Sequence, residues 1–279
     1  MSMPFYISPE QTMRDKADYA RKGVARSRSS VALQYADGIL LVTPNVSSVL
    51  HKISEIYDRI AFAAVGRYNE YEVLRKAGVT YADVTGYQFD RGDVTARGLA
   101  NWYAQALGTN FSEPAGKPYE VEIVVAEVGL KPDGDQIYRI SWDGSVSDEP
   151  GFVAFGGQAD QVTTALKERF SDGMSLTEAL AAALAALAAP AAASGSSPAS
   201  NGAQLELTAA NLEVAILDRA RAHRTFRRLA GTRLEELIAE SRATEAIEPT
   251  ETAEAADEPA PPSDEPPTGP SSAGDGIPK

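Results

Sequence analysis

The sequence predicts an α+β protein in which two antiparallel sheets stack face to face and helices cover both outer sides. Three observations lead there. Strand-like runs come in neighbouring pairs joined by short turns, as antiparallel hairpins require. Helical segments come in pairs between the strand runs. Neither GxGxxG nor GxxxxGK(S/T) occurs, so a nucleotide-binding architecture has no support.

The elements follow in order. Ser8-Pro9-Glu10-Gln11 opens a helix, with serine as N-cap, proline at the first helical position and glutamine in the capping-box place. Helical spacing continues through Met13, Ala17, Tyr19, Ala20 and Val24 and fades between Gly23 and Ser27. The apolar face is thin, so this helix needs a partner surface. SSVALQY alternates, Ala36-Asp37-Gly38 turns, and ILLVT is a short buried run. KISEIY and IAFAAVG form a second strand pair around Asp58-Arg59. Helical patterns run from Asn69 to Tyr87 and from Asp93 to Leu107, with Asp93 as the expected N-cap. VEIVVAEV is a strand, and Asp135–Trp142 and Phe152–Phe155 are expected to extend the second sheet. Two helices follow, Asp160–Phe170 and Ser175–Ala189, the second opened by Ser175-Leu176-Thr177-Glu178 and ended by Pro190. Pro190–Gln204 reads as a flexible loop. LEVAILD and TFRRL are strands, and TRLEELIAE is a last helix.

Composition narrows the function. The chain of 279 residues is long enough for a sizeable core, and its net charge of -13 argues against a general nucleic-acid binder. With no cysteine and only His51 and His223, a thiolate zinc site, a cysteine nucleophile and an imidazole-rich metal site are excluded, and no cofactor is expected. No export signal or membrane span is visible, so a cytoplasmic protein is the expectation. Residues 241–279 hold nine acidic residues, two basic ones and eight prolines, and read as a disordered tail.

Three stretches, read together, resemble a known family. They are SPEQTMRDKADYARKGVARSRSSVAL, HKISEIYDRIAFAAVGRYNEYEVL and GYQFDRGDVTARGLANWYAQAL. In their order and spacing they look like the α-type subunit of the proteasome core particle in its actinobacterial form. The resemblance covers Phe5 to Glu240. It implies the four-layer αββα sandwich of amino-terminal-nucleophile hydrolases with an added N-terminal helix. It also implies a non-catalytic chain that forms heptameric rings, caps rings of catalytic β subunits and docks a ring-shaped ATPase through its C-terminal tails. The family works on proteins tagged with a small ubiquitin-like modifier. The domain reading is a gate segment at 1–8, an α-type domain at 9–240 and the tail at 241–279.

A β-type subunit uses an amino-terminal threonine freed by cleavage after a glycine at the edge of the first strand. Here Arg28, Ser29 and Ser30 stand at that edge, and no Gly-Thr-Thr does. Gly108-Thr109 and Gly231-Thr232 lie beside helices. The place of the family's second-strand acid falls close to Pro44. The alternative is a processed peptidase with a serine nucleophile at Ser29 or Ser30.

By the same overlay Lys52 takes the position of the β subunit's catalytic lysine. In α-type subunits the resemblance implies that this lysine lines a pocket for the terminal carboxylate of an ATPase tail. His51 neighbours it. The gate falls on Met3, Pro4, Phe5, Tyr6, Ile7, Ser8 and Pro9, short and mostly uncharged residues near the ring axis. Archaeal relatives carry Tyr-Asp-Arg near this point and this sequence does not, so their open-gate hydrogen bonds do not carry over. RARAHRTFRR reads as a solvated strand face or a ring contact. Trp102 and Tyr103 read as packing or contact with the β ring.

Overall fold

The computed structural model describes residues 8–193 and 207–251. Its elements are α1 (Pro9–Ala25), β1 (Ser30–Tyr35), β2 (Gly38–Pro44), β3 (Ile53–Tyr57), β4 (Ile60–Gly66), α2 (Tyr68–Gln88) and α3 (Ala96–Ser112). Then follow β5 (Val121–Glu127), β6 (Gln136–Ile140), β7 (Val146–Asp148), β8 (Phe152–Phe155), α4 (Ala159–Arg169), α5 (Leu176–Ala193), β9 (Leu212–Asp218), β10 (Phe226–Leu229) and α6 (Thr232–Glu251). Two antiparallel sheets result, one ordered β10-β9-β2-β1-β8 and the other β3-β4-β5-β6-β7.

Side-chain alternation explains the layering. On β1 and β2, Val31, Leu33, Leu40 and Val42 point outward to Leu166, Leu180 and Leu237 of α4, α5 and α6. On β4 and β5, Phe62, Ile123 and Val125 point to Leu74 of α2 and to Leu99 and Tyr103 of α3. The intervening positions, among them Ala32, Leu41, Ala63, Val124 and Ala215, meet between the sheets. Strands buried on both faces read as continuous apolar runs, which is why ILLVT and IAFAAVG show no alternation.

Several expectations are corrected. Phe152–Phe155 does not extend the second sheet. It pairs with β1, with Val31 opposite Ala154, and so closes the edge of the first sheet. The short strand β7 was not anticipated. All three of its residues are exposed, so no apolar signal marks them. Pro190 does not end α5, which runs on to Ala193. The remainder of the expected 190–204 loop lies outside the described residues. The N-cap of α3 is Thr95, whose hydroxyl accepts from the Gly98 N–H at 3.1 Å. Asp93 instead forms a reciprocal capping box with Asp90 around a short 3-10 turn. The last helix passes the boundary expected at Glu240, and Ser241 is buried with its hydroxyl on the Ile238 carbonyl. Residues 252–279 of the expected tail lie outside the described residues.

Tyr103 reads as packing. It is 0 % exposed, and its hydroxyl has no hydrogen-bond partner among the described residues. A Cβ at position 78 would lie 1.8 Å from that hydroxyl, so Gly78 is what lets α2 and α3 approach. Gly78→Ala should lower unfolding stability by about 1–3 kcal/mol through overpacking. Adding Tyr103→Phe removes the nearest atom but leaves the ring Cζ at 2.6 Å, so it should recover part of the loss, measured by denaturant unfolding. An unchanged Gly78→Ala protein would contradict this packing.

Candidate functional site

The site lies where the start of β3 meets the edge of the other sheet. Lys52 precedes β3 and is half-buried. Its Nζ donates to the carbonyl of Pro44, at the end of β2, at 3.0 Å. A neutral acceptor therefore holds the ammonium here. Burial pulls the Lys52 pKa below the ordinary lysine value. Glu213 acts against that shift and Arg28 adds to it.

Sequence reasoning missed the residue that organises this corner. Glu213 on β9 has a side chain only 5 % exposed. Its Oε2 accepts from the Lys52 N–H at 2.9 Å and from Asn45 Nδ2 at 2.8 Å. Its Oε1 accepts from the Ile53 N–H at 3.2 Å and from Arg228 Nη1. His51 Nδ1 lies 3.3 Å from Oε1, so His51, expected as a plain surface histidine, shares the groove. Arg228 also donates to the Ile53 carbonyl at 2.7 Å. The Glu213–Arg228 pair therefore clasps both polar groups of Ile53 across the gap between the sheets. Glu213 in LEVAILD, flanked on both sides by apolar residues, was the available signal, because a buried carboxylate must be paired.

The basic run is corrected in part. Arg228 faces Glu213, and Arg219 forms a pair with Asp135 at 2.7 Å whose two side chains are largely buried. His223 and Arg224 are exposed, as a solvated face predicts.

The loop from Asn45 to His51 is fixed locally. Asn45 Oδ1 accepts from the Ser47 N–H, and the Ser47 hydroxyl accepts from the N–H groups of Val49 and Leu50. This leaves Val46 at 75 % and Val49 at 76 % exposure beside Lys52.

The edge of β1 is closed. The Ser30 hydroxyl is buried and lies 2.6 Å from Thr43 Oγ1, and Ser29 Oγ accepts from the Gln158 N–H at 3.1 Å. The chain just ahead of them lies against Gly157, although Ala25, Arg26 and Arg28 are exposed. A Cβ at Gly157 would meet the Ser27 carbonyl oxygen at 2.3 Å and that of Ala25 at 2.5 Å. α1 itself is held on the sandwich chiefly by polar contacts. Lys16 Nζ donates to the Phe111 carbonyl at 3.3 Å and to that of Glu113, closing the carboxyl end of α3. Arg21 lies 5.9 Å over the ring of Trp142, and Gly23 rests against Glu120. This is the partner surface that the thin apolar face required.

Of the gate residues, Ser8 caps α1, its hydroxyl accepting from the Gln11 N–H at 3.2 Å, and Pro9 is the first helical residue. Met3, Pro4, Phe5, Tyr6 and Ile7 lie outside the described residues. Among the described residues, no cluster of side chains could hold a metal ion, and no helix is long and apolar enough to cross a membrane.

These features define a class: a two-sheet sandwich with helical outer layers, a lysine at the head of the third strand, and a first strand that runs on from a packed helix. The chain belongs to the proteasome subunit family, whose family model matches residues 24–204. Within that family it is similar to α-type subunits of actinobacteria. It is 65 % identical over 240 residues to proteasome subunit alpha of Thermomonospora curvata, covering 86 % of this chain and 99 % of that protein. It is 60 % identical over 241 residues to proteasome subunit alpha of Thermobifida fusca, covering 86 % and 92 %. It is 55 % identical over 271 residues to the protein of that name in a Nocardioides strain, covering 97 % and 99 %.

The closed edge has a direct consequence. Purified from a particle assembled with a β-type partner, the chain should keep its full mass of 29.6 kDa, and Ser29→Ala or Ser30→Ala should leave peptide hydrolysis unchanged. Loss of the residues ahead of Ser29, or of activity in either variant, would make this chain a peptidase.

Proposed function

We propose that this chain is the non-catalytic α subunit of a cytoplasmic proteasome core. It forms heptameric rings, caps rings of β subunits, closes the substrate pore with residues 1–8 and receives a ring-shaped ATPase at Lys52. Its substrates are proteins tagged with a small ubiquitin-like modifier. The observation that carries this reading is the occupied edge of β1. Both serine hydroxyls are engaged there, Ser30 with Thr43 and Ser29 with the Gln158 N–H, which supports a non-catalytic strand edge. Lys52 supports the docking part. Its ammonium rests on a carbonyl and, among the described residues, carries no carboxylate at the tip, so an incoming terminal carboxylate gains a charge-assisted bond of about 1.5–3 kcal/mol. Several tails on one ring multiply that modest gain.

Lys52→Ala should weaken binding of the ATPase tail to the assembled core about tenfold or more while peptide hydrolysis persists. The protonated amine is the binding form, and its pKa is lowered by burial. Tail binding should therefore fall as pH rises, and at a lower pH than an ordinary lysine would impose. Equal binding by wild type and Lys52→Ala, measured by fluorescence anisotropy, would remove Lys52 from the docking site. For the gate, deletion of residues 2–8 should raise hydrolysis of peptides by the assembled core, and an unchanged rate would refute pore closure by this segment.

A further inference from the structure

We infer that Arg228 sets the carboxylate specificity of the Lys52 site by holding the charge of Glu213 away from Lys52. The inference rests on the docking role proposed for Lys52 and adds a residue that does not itself meet the tail.

The corner holds one buried anion, Glu213, and two permanent cations, Arg228 and Lys52, with His51 beside them. Glu213 takes backbone N–H groups from Lys52 and Ile53 and the Asn45 amide, but among its hydrogen-bond donors only Arg228 carries a permanent charge. Arg228 is kept in place from two further directions. It donates to the Ile53 carbonyl at 2.7 Å, and its guanidinium stacks 5.7 Å from the Phe226 ring. The Lys52 ammonium is turned to the Pro44 carbonyl, although its own backbone N–H touches Glu213. Thus two cations and one carboxylate share the corner, and the arginine takes the carboxylate.

This division has a physical reason. Arg presents a rigid fork that matches a fixed carboxylate, whereas Lys carries a compact charge on a flexible stem. Without Arg228, Glu213 keeps its neutral donors but loses its counter-charge in a poorly solvated place. His51 Nδ1 already lies 3.3 Å from Glu213 Oε1, and Lys52, whose backbone N–H meets the same carboxylate, is the permanently charged flexible side chain able to replace the arginine. A lysine drawn onto Glu213 no longer offers an uncompensated charge to an incoming carboxylate, and the bare anion repels one. Arg228 is therefore a positioning residue that acts through Glu213.

The test uses the particle assembled with its β-type partner and a short fluorescent peptide copying the ATPase C-terminus, with either a free carboxylate or a terminal carboxamide. The ratio of the two affinities reports the Lys52 charge. In wild type the carboxylate form should bind about tenfold or more tighter, and Lys52→Ala should abolish that preference. Failure of this arm refutes the docking role itself. With that arm intact, Arg228→Gln should reduce the preference to about twofold or less, and Glu213→Gln with Arg228→Gln should restore it, because no buried anion remains. Glu213→Gln alone should raise the preference above wild type, a direction that damage to the fold would not give, so the inference stays testable even if Arg228→Gln does not assemble. An undiminished preference in Arg228→Gln, no recovery in the double variant, or a fall in Glu213→Gln would overturn it.

Discussion

One buried carboxylate does what no backbone ladder does in this molecule. The two sheets face each other without sharing strands, and at the head of β3 they are joined through the side chains of Glu213 and Arg228. Breaking such a pair on one side leaves an uncompensated charge, which typically costs about 3–5 kcal/mol. The position of Lys52 depends on this clasp, because Glu213 holds its backbone N–H directly. The exposed apolar loop beside Lys52 depends on it too, through Asn45. A second buried acid works in the opposite direction. Glu122 on β5 accepts from the Gly156 N–H at 2.8 Å and from Arg139, tying the second sheet to the turn after β8.

The helix α1 gives this frame its distinct character. Its buried residues are only Lys16, Ala20 and Val24, too little apolar area to hold a helix unaided. Lys16 on the end of α3, Arg21 over Trp142 and Gly23 against Glu120 complete the attachment. Polar contacts of this kind fix a helix in one place without giving it a large apolar debt to repay on moving. The same helix delivers the chain to Ser29 under Gly156 and Gly157, so the strand edge and the helix are closed by one piece of packing. Closure of that edge is what the proposed non-catalytic role rests on.

Much of this was legible beforehand, and the failures have identifiable causes. Local chemistry read well. Ser8-Pro9 does start α1, and Ser175 and Glu178 form the reciprocal box that their spacing implied. Lys52 came from resemblance, not from its own surroundings. The placement of Phe152–Phe155 failed because strand partners are chosen by tertiary contacts, and nothing in FVAF says which sheet edge is open. Pro190 failed as a stop signal because it stands near the end of the described part of α5, where few backbone bonds are at stake. Glu213 and Arg228 went unseen for another reason. An acid in a strand and an arginine in a basic run each look like solvent-facing polarity until the opposing sheet is in place. Their burial as a pair is a property of two elements far apart in sequence.

The most direct measurement is a cryo-electron-microscopy map of the chain assembled with a β-type partner in the presence of the ATPase tail peptide. The account predicts seven-membered rings in which α1 runs unbroken into β1, with the peptide carboxylate within hydrogen-bond distance of Lys52 Nζ. A chain cleaved ahead of Ser29, or a peptide seated away from Lys52, would contradict it.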